Sequence, residues 1–95
     1  MVTKRAKIVL KGKVQGVFFR DFAKQNANKL GIVGYAKNLK NGSLEIVAQG
    51  DEKKLEEFVK LCRRGPIFAK VEAVELNFEQ FEEESEYEFF DIRYS

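Results

Sequence analysis

The hydrophobic period of this chain switches from two residues to the helical three-to-four and back, twice in 95 residues, and each switch falls at a glycine or a helix-capping residue. Residues 6–14 set Ile8, Leu10, Gly12 and Val14 against Lys7, Val9, Lys11 and Lys13, the alternation of a strand with one buried face. Beyond Gly16, Phe22, Ala23, Ala27 and Leu30 recur at helical spacing and Gly31 stands as a C-terminal stop, which predicts a helix over 21–31. Residues 33–40 and 43–49 flank Asn41-Gly42, a pair that tolerates positive φ at both positions, so two antiparallel strands joined by a tight turn are expected. Asp51 is placed to cap a second helix with Glu52 in its first turn, an apolar stripe of Leu55, Phe58, Val59 and Cys62, and Arg63 and Arg64 in its last turn. Gly65-Pro66 ends it. Val74, Leu76 and Phe78 then alternate with acids and Asn77, and a fifth strand is expected near 86–94, with Phe90, Ile92 and Tyr94.

The order βαββαβ packs two helices on one face of a mainly antiparallel sheet of four to five strands, an α+β, ferredoxin-like sandwich. That architecture by itself implies no function. No repeat, linker or second unit interrupts the pattern, so residues 1–95 read as a single domain that buries roughly 60–70% of the surface its unfolded chain exposes.

Composition removes several classes of chemistry. There is no histidine, which excludes His-based triads and imidazole acid–base catalysis. A single cysteine, Cys62, rules out an internal disulfide, and its register on the second helix assigns it to the core. No apolar run approaches the roughly 20 residues of a membrane span, and the opening Met1 to Arg5 leads into a strand rather than a signal segment. A cytoplasmic protein with no membrane partner is expected. Glu82, Glu83, Glu84, Glu86 and Glu88 read as a solvated acidic loop rather than a Mg²⁺ or Ca²⁺ site, so no metal and no cofactor are expected.

The net charge of +2 conceals a segregation. Residues 1–42 carry ten Lys/Arg against one acid, Asp21, and residues 43–95 carry seven against fourteen. Such a field favours anionic ligands only if the halves stay apart once folded. Twelve lysines and twelve glutamates, with no Trp or His, also match the charge-rich composition of heat-adapted proteins.

The chemistry points to residues 12–20, Gly-Lys-Val-Gln-Gly-Val-Phe-Phe-Arg, where a strand runs through a glycine turn and Arg20 stands at a helix start. Glycine at positive φ lets successive backbone N–H groups converge, and the helix N-terminus adds partial positive charge. Arg20 adds a planar cationic fork matched to phosphate oxygens. Read alone, the segment is either an anion cradle or a tight turn whose arginine lies in solvent.

Read together with Gly34-Tyr-Ala-Lys-Asn38-Leu and the ending Phe90-Asp-Ile-Arg-Tyr94, the loop resembles the acylphosphatase family over roughly residues 6–94. Two signatures carry the resemblance: Gly-x-Val-Gln-Gly-Val-x-Phe-Arg, and Gly-aromatic-x-Lys/Arg-Asn followed by a Gly turn. Tyr35 replaces a usual tryptophan, Ala36 a usual valine and Lys37 a frequent arginine. The resemblance implies hydrolysis of acyl phosphates, with Arg20 and the backbone amides of Gln15, Gly16, Val17, Phe18 and Phe19 on the phosphate and Asn38 positioning the attacking water. Inorganic phosphate or sulfate would compete for the same cradle. A monomer that binds no nucleic acid is the expectation.

An acyl phosphate releases a carboxylate, whose conjugate acid has a pKa of about 4 to 5, so no strong general acid is required. Positioning and charge stabilisation suffice in principle. Alternation puts Asn38 on one strand face with Gly34 and Ala36, whose small side chains leave room for a ligand. Asp21 reads as a cap or charge-balancing residue rather than an acid, and the Phe18 and Phe19 side chains read either as the lining of an acyl pocket or, the more usual place for phenylalanines at a helix start, as core. The rival reading is a non-catalytic phosphate- or RNA-binding module of the same fold. Against RNA binding, Ser43 to Gln49 offers no stacking ring.

Overall fold

The computed structural model describes residues 3–81 and 87–94. Its elements are β1 (Thr3–Lys13), α1 (Phe19–Leu30), β2 (Val33–Asn38), β3 (Leu44–Asp51), α2 (Glu52–Arg64), β4 (Lys70–Phe81) and β5 (Phe90–Arg93). The strands form one five-stranded sheet in the order β4-β1-β3-β2-β5. The β1–β3, β1–β4 and β2–β3 pairs are antiparallel, whereas β5 runs parallel to β2. Both helices cover one face, as the βαββαβ order predicts. Between helices and sheet lies a core of Ile8 and Leu10 from β1, Leu44 and Ile46 from β3, Phe19 from α1, Phe58 from α2 and Phe90 from β5.

Boundaries shift where tertiary pairing overrides local pattern. β1 begins at Thr3 rather than residue 6, because Thr3 pairs with both Asp51 and Phe81 and the two ladders satisfy a stretch with no apolar alternation. β4 likewise starts at Lys70, well before the alternating Val74-Leu76-Phe78 run, since β1 pairs with it throughout. β5 is shorter than the expected 86–94 segment. The acidic run Glu82 to Glu86 lies outside the described residues, and Glu88 is exposed.

The second helix follows its predicted signals. Asp51 Oδ2 accepts from the Lys54 backbone N–H at 3.4 Å, and Leu55, Phe58, Val59 and Cys62 are buried. Burial pushes the Cys62 thiol far up from its ordinary value, so it stays a neutral core group. The β2–β3 connection departs from the two-residue turn expected. The last pair is Asn38 with Leu44, and only Gly42 takes positive φ. Asn41 uses its side chain instead, its Oδ1 accepting from the Ser43 N–H at 3.0 Å. Five residues therefore bridge the strands, and the wider loop leaves carbonyls of Leu39 and Ser43 available to the neighbouring loop.

Charge segregation in sequence does not survive folding. Basic β1 lies between β3 and acidic β4, and ion pairs form between Lys11 and Glu75 at 3.1 Å, Lys4 and Glu52 at 2.8 Å, and Lys7 and Glu45 at 3.8 Å. Each joins the basic half to the acidic half. At the other side of the sheet, Gly34 (φ 141°) donates its N–H to the Phe89 carbonyl at 3.0 Å, bringing the start of β5 against β2. A Cβ at position 34 would run into the Val47 carbonyl, so only glycine permits this approach.

Candidate active site

The segment between β1 and α1 is pinned at its ends and bent in the middle. Val14 and Val17 are buried, while Gly16 takes φ 72° and Phe18 takes φ 62°, ψ 27°. Gly16 is open to solvent around its Cα, so its glycine serves the backbone angle rather than a close contact. Left-handed residues alternating with an ordinary one turn successive N–H groups toward one side, the geometry of an anion-binding nest. The first N–H to enter the helical ladder is that of Phe22, which donates to the Phe18 carbonyl at 3.0 Å. Among the described residues, the N–H groups of residues 16–21 donate to no protein acceptor. They are the free donors of a helix N-terminus, gathered at the place the loop bends.

Because Phe18 is left-handed, α1 starts at Phe19 rather than at residue 21, and Arg20 falls in its first turn. The two phenylalanines separate. Phe19 enters the core as expected and meets the Phe22 ring edge-on at 5.8 Å, but Phe18 is 76% exposed, contrary to the core assignment. A residue at αL turns its side chain away from the helix axis that buries its neighbour.

Arg20 is oriented from the far end of the chain. Its Nη1 donates to the Arg93 carbonyl at 3.1 Å, and its guanidinium lies over the Tyr94 ring, 4.6 Å from the centroid. Gln15 fixes the opposite side: its Nε2 donates to the carbonyls of Leu39 at 2.7 Å and Ser43 at 2.9 Å. These bonds tie the loop to the hairpin that follows Asn38. The sequence reading considered only the Gln15 backbone, and its side chain proves to be the brace between the two signatures.

Arg20, Asn38, Gly16 and Phe18 thereby line one cavity of about 280 Å³, with Asp21 and Tyr94 at the same cavity. Asn38 Oδ1 is shielded from solvent and accepts no hydrogen bond among the described residues. A buried acceptor left without a protein partner costs about 1–3 kcal/mol, and a donor brought by a ligand or water would recover it. Asn38 and Tyr94 also line an adjoining cavity of about 340 Å³ with Lys37 and Lys40, which adds positive charge beside the site. Among the described residues no group of three or more Cys, Asp or Glu side chains gathers to hold a metal. Sequence reasoning missed Tyr94 and the Arg93 carbonyl as neighbours of Arg20. The only available signal was their place in the ending Phe90-Asp-Ile-Arg-Tyr94, because spacing does not reveal that β5 lies beside β2.

This arrangement can bind a tetrahedral oxyanion between a guanidinium and a set of free amides, next to a side chain that can accept from water. Residues 6–92 match the family model described as acylphosphatase. An acylphosphatase of Dehalococcoides mccartyi is 54% identical over 72 residues, covering 75% of this chain and 79% of that protein. One of Caldivirga maquilingensis is 43% identical over 91 residues, covering 95% and 94%. The crystal structure of acylphosphatase from Bacillus subtilis superposes with a TM-score of 0.88 at 33% identity, covering 96% of this chain and 99% of that one.

Proposed function

The chain belongs to the acylphosphatase family, and from that membership we propose that it hydrolyses the carboxyl–phosphate bond of acyl phosphates, with Arg20 and the amides of residues 15–19 holding the phosphate and Asn38 positioning the attacking water. The observation that supports the residue assignment is that Arg20, Asn38 and the loop residues Gly16, Phe18 and Phe19 line one cavity, with Asn38 Oδ1 left without a protein partner among the described residues.

Water donates to Asn38 Oδ1 while the Asn38 NH₂ donates to a phosphate oxygen, which aligns the water with phosphorus. The water oxygen bonds to phosphorus as the bond from phosphorus to the acyl oxygen breaks, and the carboxylate leaves with that electron pair. The water proton passes to a phosphate oxygen, so neither a protein base nor a protein acid is needed. Arg20 and the amides offset the negative charge on the transferred group in a site that is set before substrate arrives. Charge stabilisation assigned to a guanidinium and backbone dipoles makes the reaction metal-independent.

Residues 1–95 act as one acylphosphatase-like unit, a monomer in the cytoplasm, with inorganic phosphate or sulfate competing at the cradle. No helix among the described residues is long and apolar enough to cross a membrane. Against the RNA-binding alternative, β3 carries no aromatic ring to stack on a base, and Val47 and Gln49 on its face away from the helices are buried. The test is release of inorganic phosphate from benzoyl phosphate by purified protein in excess EDTA. Hydrolysis is expected to persist, whereas simple phosphomonoesters, whose alkoxides need protonation, react far more slowly. Absence of hydrolysis would leave a phosphate-binding module, and loss with EDTA would overturn metal independence.

A further inference from the structure

Phe18 is the one non-glycine residue with positive φ among the described residues, and it is 76% exposed and lines the cavity that contains Arg20 and Asn38. Neither backbone stability nor burial accounts for a phenylalanine there. Glycine would take φ 62° without strain, and the Phe18 ring joins neither the core cluster nor any aromatic pair. The loop signature Gly-x-Val-Gln-Gly-Val-x-Phe-Arg leaves this position open, so the phosphate cradle does not demand the ring either. A single exposed apolar side chain is ordinary on a protein surface. One held in a disfavoured conformation beside a reactive centre is not.

Two other apolar side chains of the cavity are committed to the core. Val14 and Phe19 are 1% and 2% exposed, in the core, whereas Tyr94 is 77% exposed and holds the Arg20 guanidinium over one face of its ring. Phe18, with the part of Tyr94 that Arg20 leaves open, is therefore the apolar surface that remains for a ligand, and Phe18 alone of the two is not engaged by that arginine. In-line displacement carries the acyl oxygen away from the water at Asn38, so the acyl group does not share the wall of the cavity that Asn38 supplies.

We infer that Phe18 is a specificity-determining residue whose ring seats the acyl group and selects flat, aromatic acyl phosphates over small aliphatic ones. The inference rests on the acyl phosphate hydrolysis proposed above. Ring-on-ring contact is the same for the bound substrate and for the transition state, in which the acyl group has hardly moved, so the preference falls mainly on KM.

The experiment compares kcat/KM for benzoyl phosphate and acetyl phosphate in the wild type, Phe18→Gly and Phe18→Tyr, with the Ki of inorganic phosphate measured in each. The glycine variant suits the left-handed backbone and is expected to melt no lower than the wild type. The ratio of the two kcat/KM values is expected to favour benzoyl phosphate in the wild type, to fall about tenfold in Phe18→Gly through KM, and to be retained in Phe18→Tyr. Because the Phe18 amide belongs to the cradle, Ki for phosphate reports any change in that contact, which alters both substrates alike and leaves the ratio of the two kcat/KM values unmoved. An unchanged ratio in Phe18→Gly overturns the inference, as does a loss on both substrates that tracks a weaker Ki. No hydrolysis of either substrate by the wild type would overturn the proposed function and this inference with it, a result distinct from active enzyme with no acyl preference.

Discussion

Arg20 Nη1 donates to the backbone carbonyl of Arg93 at 3.1 Å, so the cation at the start of α1 takes its direction from the last strand, 73 residues further along the chain. The Arg93 side chain points the other way and stacks on Tyr35, its guanidinium 3.9 Å from the ring centroid. β5 is thus fastened to β2 by a parallel ladder and a cation–π contact while its carbonyl and Tyr94 steer the site. An arginine held by one neutral acceptor and one ring keeps its remaining N–H donors for an anion.

Arg20→Lys is expected to lower kcat/KM for benzoyl phosphate by about 10²-fold or more and to weaken competitive inhibition by phosphate. A lysine ammonium cannot keep the Arg93 bond, the Tyr94 stack and a two-point contact with phosphate at once. Steady-state kinetics at fixed ionic strength would check this, and near-normal turnover would remove Arg20 from the phosphate site.

Asn38→Ala is expected to separate chemistry from binding. Removing the buried Oδ1 and its amide takes away the water site but leaves Arg20 and the loop amides, so kcat is expected to fall roughly 10²-fold with Ki for phosphate little changed. A parallel loss of phosphate affinity would place Asn38 in the binding shell. Thermal melting of the same preparation is expected to show no loss of stability, because the unpaired acceptor goes with the side chain.

Gly34→Ala is expected to destabilise the fold by about 3 kcal/mol or more, lowering Tm by roughly 12 °C or more. The added methyl meets the Val47 carbonyl, and φ 141° is closed to alanine. Loss of activity should accompany it at temperatures below the melt, since the Gly34 N–H to Phe89 carbonyl bond holds β5, and β5 holds Arg20. Unaltered melting would contradict the packing described for β2.

Burial first, and then the hydrogen bond to Glu45 Oε1 at 2.7 Å, push the Tyr35 phenol from about 10 up to about 12. Between those values the unfolded chain has released the proton that the folded chain still holds. The Tyr35 contribution is therefore complete below pH 10 and lost as pH rises toward 12. In denaturant melts, the stability difference between wild type and Tyr35→Phe is expected to shrink across that interval. Absorbance titration of the wild type minus the variant should show a tyrosinate step near pH 12, and a difference step near pH 10 would refute the shift.

Much of the architecture was legible before folding because it rests on local rules. Alternation in β1, the Asp51 cap with its apolar stripe, and the glycine stops each depend on residues within a turn or two of one another. The two signatures also identified the family, and with it Arg20 and Asn38 as the residues to follow. Where the local rules failed, a longer-range demand had won. Asn41-Gly42 became part of a five-residue loop because Asn41 caps Ser43 and the Leu39 and Ser43 carbonyls are taken by Gln15. For Phe18, local rules favour core over an acyl-pocket wall, because phenylalanine beside a helix start is usually buried, yet its left-handed backbone turns it outward at the cavity.

By itself, then, the sequence determined which segments form helix or strand, the presence of a glycine-bent loop before the first helix and the absence of imidazole chemistry, all consequences of residue type and short spacing. Only the tertiary structure decided that β5 lies parallel beside β2, that Gln15 spans to the hairpin carbonyls, and that basic β1 is neutralised by β3, α2 and β4. Those outcomes join residues tens of positions apart, and which of them meet is set by the packing of the whole sheet against its two helices rather than by any preference encoded along a single stretch.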